Sequence, residues 1–179
     1  MEIKPKDDNC IYYGIDLGDE VALLSYFAPG SNEPVTVSMV AGSEVYQIPV
    51  YLSKKRGVGQ WFFGNDAKKQ VSLSLADGTG SLLSKALSDE KVILDQEEYT
   101  GRELLLIYLK RLLSLPEKLF VDSSSKKVVV CLDNVSLEAA ELFSMIGNRL
   151  GLASGEMVVI DRRECFYYYA LTQNPQIYK

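Results

Sequence analysis

A mixed α/β domain, antiparallel at the start of its sheet and parallel at the end, is the fold this sequence predicts. Three observations carry it. Short apolar and β-branched runs, broken by Gly, Asp and Pro, fill the first third of the chain, and helical and strand patterns alternate in the last third. The third is composition: 179 residues, 47% hydrophobic and 24% charged, suit one compact domain with its own core. Strand-helix-strand order makes parallel neighbours through right-handed crossovers, so the alternation places two parallel strands at the end of the sheet.

Cys10 to Leu17 and Val21 to Phe27 are strand-like runs around the break Gly18-Asp19-Glu20, which reads as a hairpin. Pro29 to Asn32 is a turn, Val35 to Val40 alternates with strand period, and Ala41-Gly42-Ser43 breaks it. Val45 to Leu52 is a further strand, made an edge, bulged or terminating one by Pro49. The basic run Lys54-Lys55-Arg56, with Gly57, is expected as a charged loop before the short strand Trp61-Phe62-Phe63. Asn65 to Leu75 is short and ambiguous, Asp77 to Ser81 reads as a loop, and Leu82 to Leu87 as one or two helical turns.

Thr100 followed by Glu103 has capping-box spacing and opens an apolar helix over Leu104 to Leu113 that ends before Pro116. Ser123-Ser124-Ser125 is a polar turn. Val128 to Leu132 is a continuous apolar run, as expected of a strand buried on both faces. Ser136 caps an amphipathic helix carrying Leu137, Ala140, Phe143, Ile146 and Leu150, and Gly151 ends it. Met157 to Ile160 is the last strand, with a helix from about Arg162 to Thr172 behind it. The whole of 1–179 is thus expected as one domain: antiparallel strands over 3–64, a helical insertion over 65–125, and strand-helix-strand-helix over 126–179.

Composition excludes several function classes. Nineteen basic residues against 24 acidic ones give a net charge of -5, so no basic field draws nucleic acid or an anionic membrane. The chain has no histidine, which removes Ser-His and Cys-His nucleophilic pairs and His-ligated metal sites. Acid, Lys, Tyr or phosphate-cradle chemistry is left. Cys10, Cys131 and Cys165 are odd in number, far apart and in no metal spacing; Cys131, inside the Val128 run, reads as a small buried hydrophobe. Met1 to Asn9 has no signal-peptide core, and the longest apolar run, Leu104 to Leu109, is far below the ~20 residues of a membrane helix. A soluble, cytoplasmic protein is expected.

Five ordered segments resemble the first half of the actin-like ATPase superfamily, most closely the DnaK-type heat-shock chaperones, with sugar kinases and bacterial actins as cousins. Gly14-Ile15-Asp16-Leu17-Gly18 resembles the first phosphate hairpin of that group, and Ile48-Pro49-Val50 its Pro-Ser-Val strand. Gly64-Asn65-Asp66-Ala67-Lys68-Lys69-Gln70 follows its Gly-x-x-Ala-Lys-x-Gln segment. Val128 to Leu152, closing on Leu150-Gly151-Leu152, is similar to its next strand and helix, as Val158-Val159-Ile160 and the aromatic helix are to the pair after that.

The resemblance implies a ribonuclease H-like α/β domain, its five-stranded mixed sheet covered by helices on both faces. It also implies that the hairpin of Gly14, Asp16, Leu17, Gly18, Asp19 and Glu20 holds the phosphates of ATP or ADP, with Asp16 positioning a hydrated Mg²⁺. The family's catalytic lysine falls at Lys85 within Leu82 to Leu87. The rest of the family's site lies in a second lobe that this chain does not contain, so the 179 residues alone are expected to be inactive. Their end at Gln173 to Lys179 reads as a cut in a longer protein, with a missing C-terminal lobe or another protein chain as partner.

The departures matter as much. Small hydroxyl residues usually follow the hairpin's Leu-Gly, whereas here Asp19-Glu20 follows. A carboxylate ~4 Å from a phosphate charge costs about 4 kcal/mol at an effective dielectric of 20. The family's catalytic Glu aligns with Arg162, or by a register shift with Asp161 or Glu164, and its proline after the Val128 strand is replaced by Leu132-Asp133. Two readings follow: a Mg-ATP-binding lobe that hydrolyses only with its second lobe, or a degenerate pseudo-ATPase lobe kept as an interaction or assembly module. A sugar or acid kinase is a distant third. Phe166 to Tyr169 stands where the family carries small alanines, so one face of that helix is expected in the core and the surplus aromatic surface needs a cover.

Overall fold

The computed structural model describes residues 10–28, 30–31, 33–40, 42–117 and 125–173. Met1 to Asn9, Pro29, Asn32, Ala41, Ser123, Ser124 and the stretch from Asn174 to Lys179, read above as termini and turns, lie outside the described residues. The chain opens with β1 (Cys10–Leu17), β2 (Val21–Phe27), β3 (Val35–Thr36), β4 (Ile48–Pro49), β5 (Tyr51–Lys55) and β6 (Trp61–Phe63). Then come α1 (Gly64–Ser72), β7 (Ala76–Gly80), α2 (Leu82–Leu87), β8 (Lys91–Leu94), β9 (Glu97–Thr100) and α3 (Gly101–Glu117). The last third is β10 (Ser125–Leu132), α4 (Leu137–Arg149), β11 (Met157–Asp161) and α5 (Arg162–Gln173).

Period-two alternation along β1 builds the main sheet. Ile11, Tyr13, Ile15 and Leu17 are buried, while Gly14 and Asp16 point to the other face. β2 pairs antiparallel in a register that sets Leu17 beside Ala22 and Ile15 beside Leu24, extending the same buried stripe. β10 joins β1 in parallel and β11 joins β10 in parallel, giving the order β11-β10-β1-β2-β3 with β4 also paired to β2. The sheet has six strands where five were expected, because Ile48–Pro49 adds a short strand beside the start of β2. Helices α3 and α4 bring Leu104, Leu105, Tyr108, Leu109, Phe143 and Ile146 onto this stripe to form the core. The close approach of α4 to β11 runs over Gly147, where a Cβ would come within 2.9 Å of Met157. α5 crosses the opposite face beside β10 and β11.

Both capped helices match expectation. The Thr100 N–H donates to a Glu103 carboxylate oxygen at 2.8 Å and the Glu103 N–H to the Thr100 hydroxyl at 3.2 Å. Ser136 Oγ accepts from the Ala139 N–H, and Gly151 is left-handed at φ +80°. α3 does not stop before Pro116: it runs to Glu117 with the proline in its last turn. A proline there removes one hydrogen bond at an end that frays in any case.

Other expectations are corrected. The strand read over Val35 to Val40 is paired only at Val35 and Thr36. Pro49 ends β4, and Val50 donates instead to the Glu20 carbonyl at 2.8 Å before the chain moves into a second sheet, β6-β5-β7. Lys54 and Lys55 are strand residues there, not loop, and Lys54 is only 4% exposed. Its ammonium donates to Tyr99 Oη at 2.9 Å and lies 2.8 Å from Glu97; the Glu97 bond above all holds it protonated far above the usual range.

The stretch read as a loop from Asp77 is strand β7. Its glycines make this possible, because a Cβ on Gly78 would lie 2.8 Å from the Tyr51 ring. Segment 65–125 therefore carries strands as well as helices. The β8–β9 hairpin escaped the reading because its turn residues, Asp95 and Gln96, take φ +51° and +64° without a glycine. Asp95 is held there by accepting the Gly57 N–H at 2.7 Å and donating its own N–H to Asp77 at 3.0 Å.

Two corrections concern the second face of the main sheet. β10 is buried on one face only: Val128, Val130 and Leu132 are in the core, whereas Val129 is exposed and Cys131 half-buried. No part of Phe166 to Tyr169 enters the core, exposure running from 44% at Tyr168 to 71% at Phe166. Among the described residues no helix is long and apolar enough to cross a membrane.

Candidate functional site

Parallel register brings the ends of β1, β10 and β11 to one edge of the sheet, with Asp16 opposite Cys131 and Leu132 opposite Asp161. Ligands in open α/β sheets bind beyond such carboxyl ends. Asp16, Asp133 and Asp161 therefore stand at this edge with the first turn of α5, although among the described residues no three acidic or thiol side chains come together as a metal site would need. The charge of these aspartates is met within the chain. Arg162 donates from Nη2 to Asp16 Oδ1 at 2.6 Å and from Nε to the same oxygen at 3.2 Å, and its Nη1 holds Asp133. These bonds, Asp16 first, hold the guanidinium charged well above even its ordinary range. Asp161 turns away to accept the Arg163 N–H at 2.8 Å, which keeps its carboxyl below the usual range. Burial pushes the Cys131 thiol, beside this cluster, well up and keeps it neutral.

The hairpin tip is engaged as well. Gly18 N–H closes the turn on the Val21 carbonyl at 3.0 Å. Asp19 Oδ1 accepts the Ser84 N–H at 2.9 Å and its Oδ2 accepts the Ser84 hydroxyl, so one carboxylate clasps the first turn of α2. Glu20 faces solvent, Gly14 sits in mid-strand opposite Ser25, and Leu17 points into the core. Lys85, on α2, is ion-paired with Glu90 at 3.1 Å. Asp16, Arg162 and Asp133 thus form one cluster, Asp19 meets Ser84 of α2, and the next residue of that helix, Lys85, is committed to Glu90. Sequence reasoning had noted Asp133 only as a lost proline, and Ser84 and Glu90 not at all. Nothing in the spacing signals a contact between residues 65 positions apart.

The sheet and this edge define a mixed α/β domain with the β1–β2 hairpin and the first turn of α5 at the carboxyl end of its parallel strands. The chain belongs to the family described as "Family of unknown function (DUF5716) C-terminal", whose model matches residues 33–179. It is also similar to the chaperone protein DnaK of Thermotoga petrophila, 30% identical over 118 residues, and to that of Thermosipho africanus, 29% identical over 118. Each match covers 66% of this chain and 19% of the relative, so the aligned part is about a fifth of those proteins' length. The similarity supports a distant relation to the actin-like ATPases.

Proposed function

We propose that this chain is a ribonuclease H-like lobe of actin-like ATPase descent whose phosphate hairpin has been closed from within, and that it serves as a protein-interaction or assembly module of a chaperone-like protein. The strand order β11-β10-β1-β2-β3, two parallel strands beside an antiparallel set, supports the fold assignment. One observation carries the function: the Arg162 guanidinium, 2.6 Å from Asp16, takes the position from which a metal would draw on that carboxylate. A dication at Asp16 must displace this guanidinium or lie beside it, where a ~4 Å separation costs about 8 kcal/mol at an effective dielectric of 20 before solvent screening. Asp19, tied to Ser84, keeps negative charge where a phosphate would approach. The residues present do not fit Mg-nucleotide.

The reading this displaces is a Mg-ATP lobe completed by a second lobe, which the DnaK similarity favours. Calorimetric titration of Mg-ATP and Mg-ADP into the chain separates the two. We expect no binding heat from the parent up to millimolar nucleotide, and measurable heat once Arg162→Glu is combined with Asp19→Thr and Glu20→Thr. Saturable binding by the parent that Asp16→Ala abolishes would return the site to the ATP reading. Turnover by the parent above an Asp16→Ala control would do the same. The interaction surface is the aromatic side of α5 with the uncovered sheet face around Val129 and Val158, which in this proposal packs against a second lobe or another protein chain.

A further inference from the structure

We infer that the cleft between α3 and the β6–α1 junction binds a small amphipathic carboxylate, an apolar body carrying one anionic group. The cleft encloses about 520 Å³, within the ~300–1,000 Å³ usual for small-molecule sites. Leu52 forms its floor, Trp61 and Phe63 one wall, and Ile107 and Leu115 the other. Both rings of the first wall are held by neighbouring aromatics before any ligand arrives. The Trp61 ring meets Tyr99 edge-on at 5.2 Å, and Phe63 stacks on the buried Tyr108 at 4.8 Å. A preformed apolar slot loses little ordering entropy on binding.

Charge at the mouth selects the head group. Lys110 and Arg111 are exposed at the rim, and neither makes an ion pair among the described residues. Lys54, Arg56, Lys85, Lys91 and Arg102 by contrast each hold a carboxylate. Asp66 lines the same cleft from α1, also without an ion-pair partner among the described residues. It repels an anion from its own side, steering the head group toward Lys110 and Arg111 and disfavouring a dianion. The site lies apart from the hairpin and stands whether or not the proposed closure of that hairpin holds.

Trp61 is the single tryptophan of the chain among 11 tyrosines, so emission excited selectively in tryptophan reports this cleft. The probes are decanoate and decanol, titrated below their aggregation limits. Decanoate should change Trp61 emission saturably. Lys110→Gln with Arg111→Gln should weaken it about 2- to 30-fold, from two exposed charge contacts, and shift decanol by less than twofold. Asp66→Asn should tighten decanoate. All three positions are exposed, and an unchanged melting midpoint checks that the variants fold. No saturable change with decanoate, or an equal loss of decanoate and decanol in the double variant, would overturn the inference.

Discussion

Replacing Arg162 by alanine leaves Asp16 and Asp133 facing each other without their cation. Two N–H groups of Arg162 reach one oxygen of Asp16 at 2.6 and 3.2 Å, a charge-assisted geometry at the strong end of its class. The side chains are 41% and 39% exposed, so water screens the pair. Exposed ion pairs contribute about 0.2–1 kcal/mol. The Asp16 contact belongs near the top of that range and the more exposed Asp133 near the bottom. Together they suggest a loss of about 1–1.5 kcal/mol, or about 2–6 °C in Tm for a domain of this size. The assay is a double-mutant cycle of Arg162→Ala and Asp16→Asn, followed by urea melts with far-UV circular dichroism. We expect a coupling of about 0.5–1 kcal/mol that shrinks in 1 M salt, where the Debye length is about 3 Å. A coupling under about 0.2 kcal/mol, below what even exposed pairs give, or a more stable Arg162→Ala chain, would refute Arg162 as the counter-ion of Asp16. The closed-hairpin proposal would then lose its footing.

Gly101→Ala should lower the urea midpoint, because the added Cβ points onto the Lys85 carbonyl and lies 2.6 Å from the Ala86 nitrogen, so α2 and α3 must separate. Such overpacking costs about 1–3 kcal/mol, whereas alanine in a helix otherwise favours folding by about 1 kcal/mol. A stabilised variant would mean that the helix crossing is loose. The Glu103 carboxylate, which takes the Thr100 N–H and hydroxyl, is held below its ordinary range, the N–H contributing most. A lowered folded pKa adds stability above the unfolded value of about 4.3 and loses it as pH falls through the folded one. Stability measured against pH should therefore fall below about pH 4.3, and Glu103→Gln should flatten that limb. An identical acid limb in the variant would sink the assignment.

Local chemistry was legible and long-range cover was not. Thr100 with Glu103, and Ser136 with Ala139, are caps whose partners lie three residues away, so spacing alone reveals them. Asp77 to Gly80 has loop composition but strand geometry, since the small residues exist to admit the Tyr51 ring from a neighbouring strand. The Val128 run looks the same whether one face or two are covered. Cover on the second face depends on α5, whose aromatic residues stay in solvent. Resemblance to the family points to Asp16 and to Arg162 separately, but their contact spans 146 positions and only the folded register exposes it. Lys54 belongs to a basic run that reads as solvated surface; what buries it is the β8–β9 hairpin, which carries Glu97 and Tyr99.

The clasp between Asp19 and Ser84 also fixes an order of assembly. Its partners stand 65 residues apart, and closing a loop of that length costs more entropy than one exposed, water-competed contact offsets. We expect the clasp to form late, once β5, β7 and α3 have carried α2 to the main sheet. On that expectation it is among the first contacts released when the two sheets open locally. Hydrogen exchange at the Ser84 amide, whose partner is a carboxylate on the far side of that junction, reads the docking of the small sheets on the large one. That protection should fade before the β1–β10 ladder gives way.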